Sequence, residues 1–128
     1  GDVLGSRRMI QVTPHMRVLV ATAPVDFRRG IDGLACHCRK VLGENPLLGT
    51  VFVFCNRRRT GLRILVYDGQ GFWLAYKRLS SGRLRWWPTS DAPTTSLRSH
   101  ELVVLTSAGN PEATRAAEPW RPITPGPK

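Results

Sequence analysis

The chain has 128 residues, 41% of them hydrophobic, and a formal net charge of +10 at pH 7. That length suits one domain with a core of its own plus a tail, and no apolar run approaches the roughly 18 residues of a membrane span. Residues Met9–Pro88 contain 13 Lys and Arg residues against four acids, and Arg supplies 16 of the 19 cationic residues of the chain. Arginine suits bidentate phosphate contacts, so the composition favours a polyanionic partner, nucleic acid first, and argues against a membrane protein.

The chain divides into three parts by composition. We expect residues 1–8 to be a tag remnant or an upstream extension, and 9–109 to form a single domain in which 88–96 is a linker to a short helix. Residues 110–128 contain five prolines without periodicity and are predicted to be a disordered tail. The three cysteines form no disulfide framework, which favours a reducing compartment and a cytoplasmic protein.

The domain begins with one strand and one helix. Arg17–Thr22 is a short apolar run with β-branched residues and predicts a first strand. Asp26 stands where a helix cap would stand, and the segment from about Phe27 to Leu42 carries its apolar residues on one helical stripe. Gly43 is placed to end this helix.

Turn signals divide the middle of the chain into four further predicted strands, which are Thr50–Cys55, Leu62–Tyr67, Phe72–Leu79 and Arg83–Trp87. Short glycine-containing loops favour antiparallel hairpins between them. The first of the four is apolar on both faces and is expected to be central or covered by the helix. With a second helix over about Arg98–Thr106, we expect an α+β fold: an antiparallel meander sheet of about five strands, one long helix packed on a face, a short C-terminal helix and a disordered tail.

Three segments in the same order resemble the TnpB-type accessory proteins of the IS66 insertion-sequence family: VATAPVDFRRGIDGLA (Val20–Ala35), GTVFVFCNRRR (Gly49–Arg59) and LRILVYDGQGFWLAYKRL (Leu62–Leu79). The resemblance covers about Met9–Trp87 and is weaker over Leu97–Gly109. It implies a bacterial mobile element, a role in transposition and the transposase of the same element as a partner. The chain departs from the family at Arg98, where relatives have a Ser or Thr helix cap; Ser96 or Ser99 compensates, or the helix starts elsewhere.

Nine basic residues are candidates for phosphate contact. They comprise a loop triplet, a pair at the predicted helix start, where free N–H groups favour anions, and four residues on neighbouring predicted strands. These candidates are Arg57, Arg58, Arg59, Arg28, Arg29, Lys77, Arg78, Arg83 and Arg85. The alternative for each is an ordinary solvated surface, and for the helix-start pair it is internal pairing, in which Asp26 or Asp32 binds Arg29 and holds the turn.

Three tryptophans are candidates for base stacking or for an interface. Trp86 and Trp87 are neighbours on a predicted strand, so their side chains would point to opposite faces and at least one would be exposed or at an interface. For Trp73 we favour packing in the core.

The sequence contains no convincing catalytic or metal site. Asp26, Asp32 and Asp68 each have a local role, as helix cap, helix surface and Asp-Gly turn, and nothing brings them together for phosphoryl transfer. Cys36 and Cys38 lie two positions apart on a helix and point about 200° away from each other, and no second ligand pair follows at zinc-finger spacing. We therefore predict a non-enzymatic protein without a metal or cofactor.

Two functions remain open. In the first, the protein binds nucleic acid, with DNA favoured over RNA, through contacts to a duplex backbone, and so assists the transposase. In the second, it is an interaction module that docks on the transposase or self-assembles, and it does not bind DNA directly.

Overall fold

A computed structural model describes residues 15–107, so the predicted extension at 1–8 and tail at 110–128 lie outside the described residues. The described chain contains, in order, β1 (Val18–Ala21), α1 (Ile31–His37), β2 (Val51–Cys55), β3 (Gly61–Tyr67), β4 (Phe72–Arg78), β5 (Thr94–Leu97) and α2 (Ser99–Thr106). The predicted α+β class is confirmed. No helix in this part of the chain is long and apolar enough to cross a membrane.

The five strands form one mixed sheet in the order β4-β3-β2-β1-β5. β1 runs parallel to β2, and the other neighbours are antiparallel. The predicted antiparallel meander is therefore wrong at β1 and β2, because the chain returns from β1 to β2 through α1 as a crossover, and such connections join parallel strands. β2 is the central strand, and all five of its residues are buried, as its apolar character on both faces predicts.

Both faces of the sheet are covered, which makes three layers. The layer between α1 and the sheet is built around Leu19, Leu34, Phe52, Phe54 and Leu65. The layer on the opposite face is built around Val20, Val53, Leu84, Trp87 and Leu105. Each large apolar side chain buried in this way contributes about 1.5–3 kcal/mol to stability, so the two layers hold the sheet from both sides.

The prediction of one long helix beginning near Phe27 is wrong at its N-terminal end. Residues before Ile31 form a turn instead, in which the Asp26 carbonyl accepts from Arg29 N (3.1 Å) and the Asp26 carboxylate accepts from Arg28 N (2.9 Å). Asp26 caps this turn, and Gly30, in an extended conformation, precedes the helix without a side-chain cap.

The C-terminal end of the same helix agrees with the sequence. The chain continues from α1 through a wider, π-type turn over Cys38–Leu42, and Gly43 follows with φ of 70°. A left-handed residue of this kind ends many helices, and glycine adopts it at low cost.

Arg83–Trp87 is not a strand, and part of the predicted linker is one. Leu84 and Trp87 bury their side chains in the layer opposite α1, and Trp87 Nε1 donates to the Ala21 carbonyl at 2.9 Å. The chain then places Thr94–Leu97 beside β1 as β5. Covering the apolar face of the sheet takes precedence over adding a further meander strand to β4.

The second helix begins at Ser99, within one residue of its predicted start. Arg98 occupies the cap position and has no side-chain acceptor. Glu101 compensates for the missing Ser or Thr, because its carboxylate accepts from Arg98 N at 2.8 Å. This is half of a capping box, and it explains how the helix tolerates arginine at this position.

Candidate nucleic-acid interface

A cleft of about 600 Å³ opens where the parallel strands β1 and β2 end. The loop after β1 contributes Asp26, Phe27 and Arg28, and the turn after β2 contributes Arg57 and Arg58. The carboxyl ends of neighbouring parallel strands lie at the same edge of a sheet, which is why loops far apart in sequence meet there. Two groups of arginines that are predicted as separate phosphate sites thus meet at one cleft. The helix-start pair contributes Arg28, and the loop triplet contributes Arg57 and Arg58.

The turn between β2 and β3 is held by its own side chains. Asn56 Oδ1 accepts from Thr60 N at 2.9 Å, and Asn56 Nδ2 donates to Thr60 Oγ1 at 2.9 Å. Arg59 adopts a left-handed conformation with φ of 58°. Arg57 and Arg58, at the tip, are exposed, and neither side chain has a hydrogen bond or ion pair within the described part of the chain. Their charges are therefore available to an external anion.

Arg28 lies on the opposite side of this cleft and pairs with Asp26. Its Nη2 is 2.8 Å from Asp26 Oδ2, while 91% of the arginine side chain remains exposed. The side-chain hydrogen bond from Arg28, with that from its backbone N–H, lowers the pKa of Asp26 from 3.8 to about 2. Asp26 is thus ionised at neutral pH and competes with any phosphate for Arg28.

Further basic residues border the Asn56–Gly61 turn. Leu84 N donates to the Arg59 carbonyl at 2.8 Å, which places Arg83 and Arg85 beside the turn. Arg78 pairs with Gly61 in the β3–β4 ladder. We call the set of arginines around the turn and cleft the basic surface; its members are Arg28, Arg57, Arg58, Arg59, Arg78, Arg83 and Arg85, of which Arg59 is half-buried and the others are exposed. Arg83 and Arg85 reach it from a loop and not from the predicted strand.

Two of the predicted contact residues are engaged elsewhere. Lys77 Nζ donates to the Thr106 carbonyl at 2.6 Å, where a cation compensates the exposed carbonyls and the negative end of α2. Arg29 Nη1 lies 3.2 Å from His37 Nδ1, so the imidazole accepts and is neutral in this pair. Burial, and secondarily Arg29, lowers the pKa of His37. Lys77 and Arg29 therefore have structural tasks.

Arg63 lines the cleft and is not among the contact residues predicted from the sequence. Its guanidinium Cζ lies 4.7 Å from the centroid of the Phe27 ring and 4.9 Å from that of the Tyr76 ring. Its Nη1 donates to the Arg29 carbonyl at 2.8 Å. Strand alternation could have identified Arg63, because it lies on the same face of β3 as the buried Leu65. A charged side chain on a buried face needs polar or aromatic partners.

The tryptophans are distributed differently from the expectation. Trp87 is buried and Trp86 half-buried, so neither offers a fully open ring. The prediction of core packing for Trp73 is wrong: it is 47% exposed, and its Nε1 donates to Asp68 Oδ2 at 2.8 Å. Aspartate 68 also accepts from two backbone N–H groups of its turn, and these bonds lower its pKa. The aromatic residues that line the cleft beside the arginines are Phe27 and Tyr76.

The carboxylates and thiols have local roles. Asp26 and Asp68 each hold a turn, and Asp32 is exposed on α1. Cys38 is buried, and burial raises the pKa of its thiol to about 12. Within residues 15–107, no group of three or more His, Cys, Asp or Glu side chains is arranged to hold a metal ion.

Comparison with known proteins identifies the family of this chain. A family model described as "IS66 Orf2 like protein" matches residues 16–116. The chain is similar to "Uncharacterized protein y4hO" of Sinorhizobium fredii, with 35% identity over 92% of this chain and 100% of that protein. It is 41% identical to "Uncharacterized protein y4jC" of the same organism, over 65% of this chain and 71% of that protein. No solved structure matches. The chain therefore belongs to the IS66 Orf2-like family of transposition-associated accessory proteins.

Proposed function

We propose that the protein is a non-enzymatic accessory factor that binds DNA and so assists the transposase of its insertion sequence. Binding is to the phosphate backbone, through the basic surface around the cleft. The observation that carries this proposal is the convergence of Arg28, Arg57 and Arg58 on one concave site at the end of the parallel strands.

The chemistry of the site supports an anionic polymer. Arginine forks match phosphate oxygens, and two of the three guanidinium groups have no partner among residues 15–107. Further cations of the basic surface lie beside the turn, so a backbone that crosses the cleft would meet several charges in succession. In the described part of the chain, α1 and α2 are only seven and eight residues long, and each buries one side against the sheet, which does not favour groove reading by a helix. Backbone contact is therefore the expected mode.

A salt titration of duplex DNA binding tests the proposal. Each neutralised phosphate adds about 0.9 to the slope of log K against log salt concentration. We expect steep salt dependence for the wild type and a slope smaller by about 1.8 for the Arg57→Ala/Arg58→Ala variant, because two phosphate contacts are lost.

The matched control is Arg39→Ala/Lys40→Ala. These two cations are exposed just after α1 and do not line the cleft, and their removal changes the net charge by the same amount. The control should keep the wild-type slope. Equal slopes for both double variants would mean that binding depends on net charge alone and that the cleft is not the DNA-binding site.

Docking on the transposase is a second candidate. Val41, Leu47 and Leu48 are exposed within a short stretch after α1, which is unusual for large apolar side chains grouped together. Weak duplex binding at low salt, unchanged in both double variants, would favour this candidate over direct DNA contact. A pull-down with the transposase, and a sedimentation measurement for self-assembly, would then be decisive.

A further inference from the structure

The cleft contains a cluster of one arginine and two aromatic rings that contact one another. The Phe27 and Tyr76 rings meet edge to face, with centroids 5.6 Å apart and planes at 87°. The Arg63 guanidinium lies over both rings, and its hydrogen bond to the Arg29 carbonyl fixes its position. Three elements thus hold this cation in place: the loop after β1, β3 and β4. A site whose charge is already positioned loses little entropy when it binds a ligand.

No carboxylate neutralises Arg63 in the described part of the chain. Its Nε is buried without a hydrogen-bond partner, and its contacts are two rings and one carbonyl. Cations without a paired acid are rare in half-buried positions, because desolvation disfavours the charge. Arg28, Arg57 and Arg58 line the same cleft, where Asp26 is the one acid among its lining residues. The cleft therefore concentrates positive charge for an anionic ligand.

The volume and lining of the cleft also suit a ligand that contains a flat, apolar group. Its volume of about 600 Å³ lies within the range of about 300–1,000 Å³ for small-molecule sites. Tyr76 is 52% exposed, so part of its ring remains open although one side contacts Arg63. Such a ring is a platform on which a nucleic-acid base can stack, whatever its identity. A base within a duplex is stacked on its neighbours and cannot use this platform.

We infer that the cleft binds one unpaired nucleotide of a DNA strand, with its phosphate at Arg28, Arg57 and Arg58 and its base against Tyr76. Arg63 contributes charge and holds the ring in position. This inference rests on the proposed function and specifies the form of DNA that the cleft selects: an exposed strand end or a locally opened duplex. A free nucleotide has the same chemistry but lacks the flanking phosphates that the rest of the basic surface would contact.

The test compares two short fluorescent single strands by anisotropy at constant salt: an oligothymidylate and a strand of equal length with abasic central positions. Both have the same phosphates, and only one has bases at the centre. We expect the wild type to bind the base-containing strand about 5- to 150-fold more tightly, the range for loss of one base-stacking contact. Tyr76→Ala should remove this preference, and Tyr76→Phe should retain it.

Trp73→Ala is the matched control. Trp73 lies on the same strand, on the opposite face, with 47% exposure against 52% for Tyr76, and it does not line the cleft. This variant should keep the wild-type preference for bases. Thymidine monophosphate, as a competitor, should displace the strand only at concentrations far above the strand's own Kd; displacement near that Kd would overturn the assignment to a polymer.

The remaining outcomes separate the two proposals. Tight binding of both strands without a preference would overturn the unpaired-nucleotide site and leave backbone binding intact. A preference that survives in Tyr76→Ala but disappears in Trp73→Ala would also overturn it, because stacking would then occur outside the cleft. Failure of the wild type to bind either strand or duplex at low salt would overturn the proposed function together with the inference.

Discussion

Asp26 controls how much of the charge of Arg28 is available to a ligand. Its carboxylate accepts from both the backbone and the side chain of Arg28, and these bonds lower its pKa to about 2. Because the folded value lies below the ordinary 3.8, ionised Asp26 contributes stability above about pH 4, and that contribution is lost as the pH falls through about 2. Across the neutral range, the pair is intact and one cation of the basic surface is partly neutralised.

Asp26→Asn should therefore strengthen DNA binding. The amide oxygen can still accept from Arg28 N and hold the turn, while the competing negative charge is removed. We expect a lower Kd at low salt and a salt slope larger by about 0.9, as Arg28 gains a phosphate contact. The salt titration described above measures both. A slope that is unchanged or smaller would show that Arg28 does not contact the backbone.

The β3–β4 hairpin depends on a close approach of its two backbones at Gly61. A Cβ at this position would lie 2.8 Å from the Lys77 carbonyl oxygen and 3.1 Å from the Tyr76 ring. Backbone atoms cannot move aside as a flexible side chain can, so a methyl group here would force the strands apart. The same hairpin carries Arg63 and Tyr76, which connects the packing of this element to the cleft.

Gly61→Ala should destabilise the protein by about 1–3 kcal/mol, the usual cost of forcing an extra carbon into a packed site. Urea denaturation followed by tryptophan fluorescence measures this loss. Gly71→Ala is the control, because a Cβ there has no atom within 4 Å, and its effect should stay within about 0.5 kcal/mol. Equal stability of the two variants would mean that the strands can separate at Gly61 without cost.

At the scale of the whole molecule, the two layers protect different cysteines. Cys38 lies in the layer under α1 and Cys55 in the layer on the opposite face. Burial raises the pKa of the Cys38 thiol to about 12 and that of Cys55 to about 11. Cys36, by contrast, is half-buried on α1. Thiolates are the reactive species, so burial and the raised pKa both protect Cys38 and Cys55, whereas Cys36 is the most accessible of the three thiols.

A thiol-reactive chromogenic reagent should therefore modify one cysteine rapidly in the folded protein at neutral pH. Cys36→Ser should abolish the rapid phase, and denaturant should expose the other two thiols together if the sheet unfolds cooperatively. Rapid modification of Cys55 without Cys38, identified by mass spectrometry, would contradict this and would mean that the layer opposite α1 opens independently.

Several local features could be read from the sequence because short-range physics decides them. Strand segments with apolar residues on both faces, the end of the first helix at Gly43 and the Asp68 turn all appear as predicted. The sequence identifies Arg98 as an unusual cap, but the compensation comes from Glu101, three residues later, and not from Ser96 or Ser99 as predicted. The exposed arginines at the tip of the Asn56–Gly61 turn also follow from their position in a hairpin.

Other features depended on contacts between distant segments. The periodicity that extended the first helix to Phe27 reflected burial, but Phe27 packs on Tyr76 and Arg63 and is not part of the helix. In Arg83–Trp87, Leu84 and Trp87 cover a sheet face instead of pairing with β4, and their burial does not alternate as it would in a strand. A pattern of apolar residues indicates which side of a segment is buried, but it does not indicate which other segment covers that side.

The sequence by itself determined that this protein is an α+β domain with a strongly basic core, and its motifs indicated the family. Tertiary structure alone decided which charges lie close together. The parallel pairing of β1 and β2 brings Arg28 close to Arg57 and Arg58. Lys77 binds the C-terminal end of α2, and Arg63 lies over two aromatic rings. The physical reason is that charge and secondary-structure propensity are properties of single residues and short segments. Which residues meet at a binding site depends instead on strand order, and strand order depends on the burial of both faces of the sheet.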